Sequence, residues 1–295
     1  MSTLKSFLTQ TFPPKPTYSV DYIPDLTGKT VIVTGGKDLS FMHLRLGNTG
    51  VVYIGARSQE KAEDLKESTD KEALFLKLDL ADLKAVKTSA EEFLSKEMEL
   101  HVLFNNGGVM NPPIEMLTAD GYDLQFGTNV IGHFYFTKLL LPLLISTANI
   151  SPDSKVRVVN TSSVGHMAAC KLDFETFKDG PKRKRMASQL ANVVYAAKLA
   201  RRYGNDGIVS TSLHPGNLRS DLQRYSSGIA LRMAMRGLTP LWAGTSPEGR
   251  GFNGKVNPCC PINDHAVLKY DGRPRNISYL GPGLEKPVRR LKIRK

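Results

Sequence analysis

The stretch Leu100 to Met110, LHVLFNNGGVM, decides the fold of this chain. From Leu100 to Phe104 it is almost unbroken apolar sequence, and it halts at two amides and two glycines. A strand buried on both faces of a parallel sheet gives such a run, whereas a strand with one wet face alternates. Glycines at its end let a ligand come close to bare backbone. The same pattern also suits a core strand followed by a tight turn, so the flanking sequence has to decide.

On either side the chain alternates between two periods. TVIVT, Thr30 to Thr34, is a β-branched run bounded by Gly28 and by Gly35 and Gly36, and it reads as the first strand. A short helical stretch follows, then a second strand at VVYIG, Val51 to Gly55, and a charged helix from Gln59 to Glu67. Ala73 to Leu78 is a third strand ending at Asp79, and Leu83 to Met98 carries Leu83, Val86, Ala90, Phe93 and Leu94 at helical spacing. Beyond Met110 come a helix from Thr128 to Ile145, a strand from Lys155 to Asn160 and a polar loop. A helix from Leu190 to Tyr203 and a strand from Gly207 to Leu213 complete the series. Strands separated by helices imply right-handed crossovers, hence an α/β fold with a doubly wound parallel sheet in a single domain. There is no internal repeat. The chain divides into an N-terminal arm, residues 1–20, the sheet domain, 21–255, and a basic tail, 256–295, whose scattered apolar residues predict irregular structure.

Composition narrows the function classes. With 41% hydrophobic and 23% charged residues over 295 positions, the chain is ordinary for a soluble globular protein. Three cysteines, Cys170, Cys259 and Cys260, form no disulfide framework and no ligand spacing, so no metal is expected and a reducing compartment is. The net charge of +12 is concentrated between Lys182 and Arg185 and near the C-terminus, without interleaved aromatics, which argues against nucleic acid. The opening MSTLKSFLTQTFPPKP lacks a signal-peptide core, and the apolar run Leu139 to Ile145 is too short to span a bilayer. A soluble cytoplasmic protein is expected.

In doubly wound sheets, ligands bind beyond the carboxyl ends of the strands where strand order reverses. The residues at those ends are Thr34, Gly35 and Gly36; Arg57; Asp79; Asn105 to Gly108; Asn160 to Ser163; and His214 to Asn217. Glycines admit a phosphate to the backbone, and Arg57 puts positive charge where an adenosine ribose would lie. The set predicts a dinucleotide pocket suited to a 2′-phosphate, so NADP(H) in preference to NAD(H).

These residues carry a resemblance. The motifs are DLTGK at Asp25 to Lys29, TGG at Thr34 to Gly36, DLADL at Asp79 to Leu83 and NNGG in place of the usual NNAG. FGTNVIGHF at Phe126 to Phe134, VVNTSS, and HPGNLRSD at His214 to Asp221 follow in order. Over roughly residues 14 to 255 the chain is similar to the short-chain dehydrogenase/reductases, in the retinol-dehydrogenase-like branch common among fungal oxidoreductases. The resemblance implies a Rossmann-like sheet, a nicotinamide cofactor, and a small apolar carbonyl or alcohol substrate. It also implies roles. Asp79 would contact the adenine, and Asn105, with Gly107 and Gly108, would frame the cofactor together with Gly35 and Gly36. Pro215, Gly216 and Ser220 would hold the nicotinamide amide. Asn129 would interrupt its helix to hold a proton-relay water, and Ser163 would hydrogen-bond the substrate carbonyl.

The pattern then departs from the family where the chemistry is. The family's proton donor is a Tyr one helical turn before a Lys, whose ammonium lowers the phenol pKa. Here the region reads KRKRMASQLANVVYAAKLARRYG. Without a gap, Arg185 and Gln189 occupy the Tyr and Lys positions. With a gap, the preferred alignment, a short segment carrying both is missing. Tyr195 and Lys198 lie past Gln189, rotated about 240° and moved roughly 9 Å along the helix, so packing is their expected role. The family's glycine loop needs glycines where this chain has Leu39 and Phe41. Two outcomes follow: an oxidoreductase impaired by loss of its Tyr-Lys pair, or a catalytically silent member that binds a nucleotide or a partner. Substrate identity and oligomeric state stay open.

Overall fold

The computed structural model describes residues 20–35, 50–59, 73–163, 165, 176–178, 188–215, 238–257, 267–270 and 277–280. Six parallel strands form the centre: β1 Lys29–Thr34, β2 Gly50–Ala56, β3 Leu74–Lys77, β4 Val102–Asn105, β5 Val156–Thr161 and β6 Ile208–Leu213. These six stand in the order β3-β2-β1-β4-β5-β6. Order reverses between β1 and β4, which pair in parallel through Val31 with Val102 and Val33 with Phe104. That is where a doubly wound sheet takes its ligand.

Side-chain parity divides the core into two layers. Val31, Val33, Val102 and Phe104 point to one face, where they join Leu241, Trp242 and Ala243 of the helix α5, Leu238–Thr245. Ile32 and Leu103 point to the other, against α1, Leu83–Lys96, and α3, His133–Ile150. Both faces are therefore covered, which is why the strands read as continuous apolar runs. On the α5 side the approach is close. A Cβ on Gly244 would fall 2.1 Å from the Phe104 ring.

The helices follow from local chemistry. The Asp82 carboxylate caps α1 by accepting from Lys84 N and Ala85 N at 2.8 and 3.3 Å, and Val86, Ala90 and Phe93 form its buried stripe. In α3 the buried residues Phe136, Leu140, Leu144 and Ala148 recur every fourth position. The helix expected over 128–145 is longer and composite. A short α2, Leu124–Phe126, runs into a π-helical turn, Gly127–Gly132, before α3. By length and apolarity alone Leu124–Ile150 could cross a membrane, yet half of its most apolar window is buried inside this fold. α4, Ser188–Tyr203, covers β5 and β6.

The sheet continues beyond β6 into the tail. β7, Lys255–Asn257, pairs in parallel with β6, and β8, Val267–Tyr270, and β9, Ile277–Leu280, follow in antiparallel register. The sequence reading of residues 256–295 as irregular differs from these described segments. Four residues are too few to register a period, and what recruits them is the unpaired edge of the sheet. The helical stretches expected after β1 and over Gln59 to Glu67 lie outside the described residues, apart from Gln59.

Candidate functional site

The turn after β1 and the loop after β4 meet at the point of strand reversal. Gly35 has φ +75°, and a Cβ there would lie 2.5 Å from the Cα of Gly107. Only glycine fits such a contact in that conformation. On Gly107 itself a Cβ would meet Leu80 Cδ1 at 3.1 Å and Gly35 N at 3.2 Å, and on Gly108 it would meet the Asn129 amide at 2.8 Å. NNGG thus passes between the β1 turn, the loop after β3 and the π turn.

Hydrogen bonds fix this passage. Thr34 Oγ1 accepts from Asn106 N at 2.9 Å and Gly107 N at 3.0 Å. The Asn106 side chain lies 3.4 Å from both Thr34 O and Gly35 O and accepts from Thr161 Oγ1 at 3.1 Å, tying β4 to the end of β5. The Asn129 amide accepts from Val109 N at 2.9 Å and donates to Val109 O at 2.8 Å, and Gln125 Oε1 accepts from Asn111 N at 2.7 Å. Asn129 does interrupt its helix, since it sits in the π turn, a deviation frequent at functional sites. Its side chain is engaged by the loop after β4.

Asn105 lies beneath this surface. Its Nδ2 donates to Thr137 Oγ1 at 3.0 Å and Asn160 Oδ1 at 2.9 Å, and Asn160 donates on to Thr211 O at 3.1 Å. The amide is 2% exposed and braces β4, β5 and α3, so any framing of a cofactor by Asn105 is indirect. Strand parity could have shown this, because Asn105 falls on the same face as Leu103. Asn106 is the amide at the rim.

The other expected residues stand along the same sheet edge. Arg57 follows β2 and is exposed, and Asp79 follows β3, half-buried, with Oδ1 accepting from Ala81 N at 2.9 Å. Ser163 follows β5 and its hydroxyl accepts from Gly165 N at 3.2 Å; half-buried Pro215 follows β6. Gly35, Gly107, Gly108 and Asn129 are brought into mutual contact, while Arg57, Ser163 and Pro215 each end a different strand. Gly36, Gly216 and Ser220 lie outside the described residues, as do Leu39, Phe41 and Arg185 and the side chain of Gln189. Among the described residues no three His, Cys, Asp or Glu are grouped to hold a metal ion.

Tyr195 is placed for packing. Its ring meets Phe134 edge-on, centroids 5.7 Å apart, its hydroxyl is bonded to Thr137, and burial pushes the phenol above its usual range. Lys198 is exposed on the same helix. A phenol whose pKa burial has raised is a poor acid near neutrality.

His133 is the residue that the sequence reading missed. Its ring is 3% exposed, with Nε2 2.8 Å from Thr34 Oγ1 and Nδ1 3.0 Å from Asn129 O. Burial lowers its pKa to about 4, against a smaller opposing effect of the Asn129 carbonyl, so the ring is neutral at pH 7. Its position four residues after Asn129 was the available signal, since that spacing brings a side chain back over the preceding turn.

Comparison with known proteins bears on the family and the fold. The family model for short chain dehydrogenases matches residues 29–228. A short-chain dehydrogenase/reductase of Armillaria gallica is 52% identical over 272 residues, covering 85% of this chain and 87% of that one. Human retinol dehydrogenase 12 is 37% identical over 221 residues, covering 70% of this chain and 66% of its own. Among solved structures, the Pseudomonas aeruginosa RhlG/NADP active-site complex superposes with a TM-score of 0.62 at 24% identity, covering 80% of this chain and 96% of that one.

Proposed function

Because this chain belongs to the short-chain dehydrogenase/reductase family of oxidoreductases, we propose that it binds a nicotinamide dinucleotide at the carboxyl ends of its parallel strands and interconverts a carbonyl and an alcohol on a small apolar substrate. NADP(H) is preferred over NAD(H). The observation that carries the proposal is the strand reversal between β1 and β4, at whose carboxyl ends Gly35 and Gly107 meet backbone to backbone, the place where a doubly wound sheet takes a dinucleotide. The NADP named in the RhlG complex is in keeping with a nicotinamide dinucleotide.

The residues fit such a group as follows. Gly35, Gly107 and Gly108 offer backbone without a Cβ, exposed Arg57 would take a 2′-phosphate, and half-buried Asp79 would face the adenine. Pro215, with Gly216 and Ser220, would hold the nicotinamide amide, and Ser163 would orient the substrate oxygen. When bound, the dinucleotide supplies or accepts hydride. The proton at the substrate oxygen has no family-type donor in this chain, because Arg185 and Gln189, or a gap, replace the Tyr-Lys pair. Solvent or another side chain must then deliver it, and loss of a general acid costs about 10² to 10⁴ in rate. Turnover is therefore impaired.

A second reading is a catalytically silent member that binds nucleotide without turnover. It is favoured by the packing role of Tyr195, which removes the nearest substitute acid. We take residues 21–255 as the cofactor-binding domain and the cytoplasm as its location, with no nucleic-acid partner. Thermal unfolding of the full chain with saturating NADPH, and separately NADH, tests the binding. A ligand at about 100 times its dissociation constant adds roughly 2.7 kcal/mol, a rise of several degrees. A larger rise with NADPH supports the proposal, and a cooperative transition that neither nucleotide moves overturns it. NADPH oxidation with simple aldehydes then separates slow turnover from silence.

A further inference from the structure

Thr34 and His133 lie 99 positions apart, yet their side chains meet in the buried floor of the site. The direction of each bond in this group follows from its ends. Asn129 O can only accept, so His133 Nδ1 carries a proton and donates to it. The ring is neutral, so Nε2 must accept, and the Thr34 hydroxyl 2.8 Å away supplies the proton; its other contact, to Phe104 O, is longer at 3.2 Å. With its proton committed, the Thr34 oxygen has its lone pairs for Asn106 N and Gly107 N. The Asn129 amide returns to the same loop through its two bonds with Val109, so the contacts close a ring.

We infer that His133 is a positioning residue that couples the NNGG loop after β4 to the π turn carrying Asn129, through Thr34, so that these two walls of the site keep one geometry. Among the described residues, no other side chain bonded to Thr34 reaches the π turn. The inference rests on the dinucleotide reading above for its affinity arm alone; the coupling itself is a property of the free chain.

Full-length His133→Ala, His133→Gln, Thr34→Val and the His133→Ala/Thr34→Val double variant test it. Amide hydrogen exchange without nucleotide is read over residues 105–109 and 127–132. His133→Ala should speed exchange about tenfold or more in both segments, because two buried partners lose their bonds. Glutamine can donate to Asn129 O and accept from Thr34, so His133→Gln should stay within about threefold of the parent. Thr34→Val should loosen 127–132, a segment it does not touch, and the double variant should add little to either single change. In titrations of folded protein, NADPH affinity should fall about tenfold in His133→Ala and be largely kept in His133→Gln. Faster exchange confined to 127–132 in His133→Ala overturns the inference, as does glutamine behaving like alanine. If His133→Ala does not fold, Thr34→Val decides, and unchanged exchange at 127–132 overturns it. If the parent binds neither nucleotide, the functional proposal falls while the exchange experiment still decides the coupling.

Discussion

Gly35 and Gly107 meet backbone to backbone, with the absent Cβ of Gly35 projecting to 2.5 Å from the Gly107 Cα. The two positions differ in one respect. Gly35 is at φ +75° and Gly107 is not at positive φ, so alanine meets strain and a backbone collision at the first but only a tight contact at the second. Gly35→Ala should cost about 2 kcal/mol or more. Gly107→Ala, which restores the alanine usual in the family, should fall within about 1 kcal/mol of the parent. Urea unfolding of both variants makes the comparison, and equal losses would contradict the geometry.

His133 gives stability a pH dependence with a definite sign. Its pKa falls from 6.5 in the unfolded chain to about 4 in the fold, so below pH 6.5 the unfolded state takes up a proton that the folded state refuses. Its contribution is complete above pH 6.5 and is lost progressively as the pH falls toward 4, by about 3 kcal/mol in all. His101, lowered first by burial and then by Lys29, acts in the same direction. His133→Gln should flatten the profile between pH 6.5 and 4, leaving the His101 part. Chemical unfolding at a series of pH values measures both curves.

Tyr195→Phe separates packing from chemistry. The ring keeps its edge-on contact with Phe134 and loses only the bond to Thr137, so the expected cost is about 1 kcal/mol. Any NADPH-dependent turnover should be unchanged. A hundredfold fall in rate with stability intact would instead make this phenol the proton donor.

Arg57→Ala addresses cofactor choice. The side chain is exposed at the end of β2, and a charge-assisted bond to a 2′-phosphate should supply about tenfold in affinity. NADPH binding should weaken by that factor while NADH binding holds, as read by parallel titrations. Equal weakening of both would assign Arg57 to the shared part of the nucleotide.

The strands were legible because burial on both faces leaves an unmistakable record: Val31 to Val33 and Val102 to Phe104 are apolar at every position. Their parallel direction was legible from the helices between them. Composition did not show the π turn, since GTNVIG has the make-up of an ordinary helix; only the family resemblance implied that Asn129 interrupts it. β8 and β9 were hidden for a different reason, being too short to express a period of two. Among site residues, the glycines could be read from the backbone's needs. Asn105 and Asn106 are chemically identical neighbours, and only strand parity says which faces the core.

The bonds from the NNGG loop to Asn129 also have a polarity. They begin at backbone N–H groups, which cannot accept, and end at a backbone carbonyl, which cannot donate. Reversing His133 to its other tautomer would set two lone pairs against each other at Asn129 O. The imidazole therefore cannot pass a proton along, although histidine is the side chain most often used for that purpose. It is a strut rather than a wire, and any route that carries protons to the substrate has to run elsewhere.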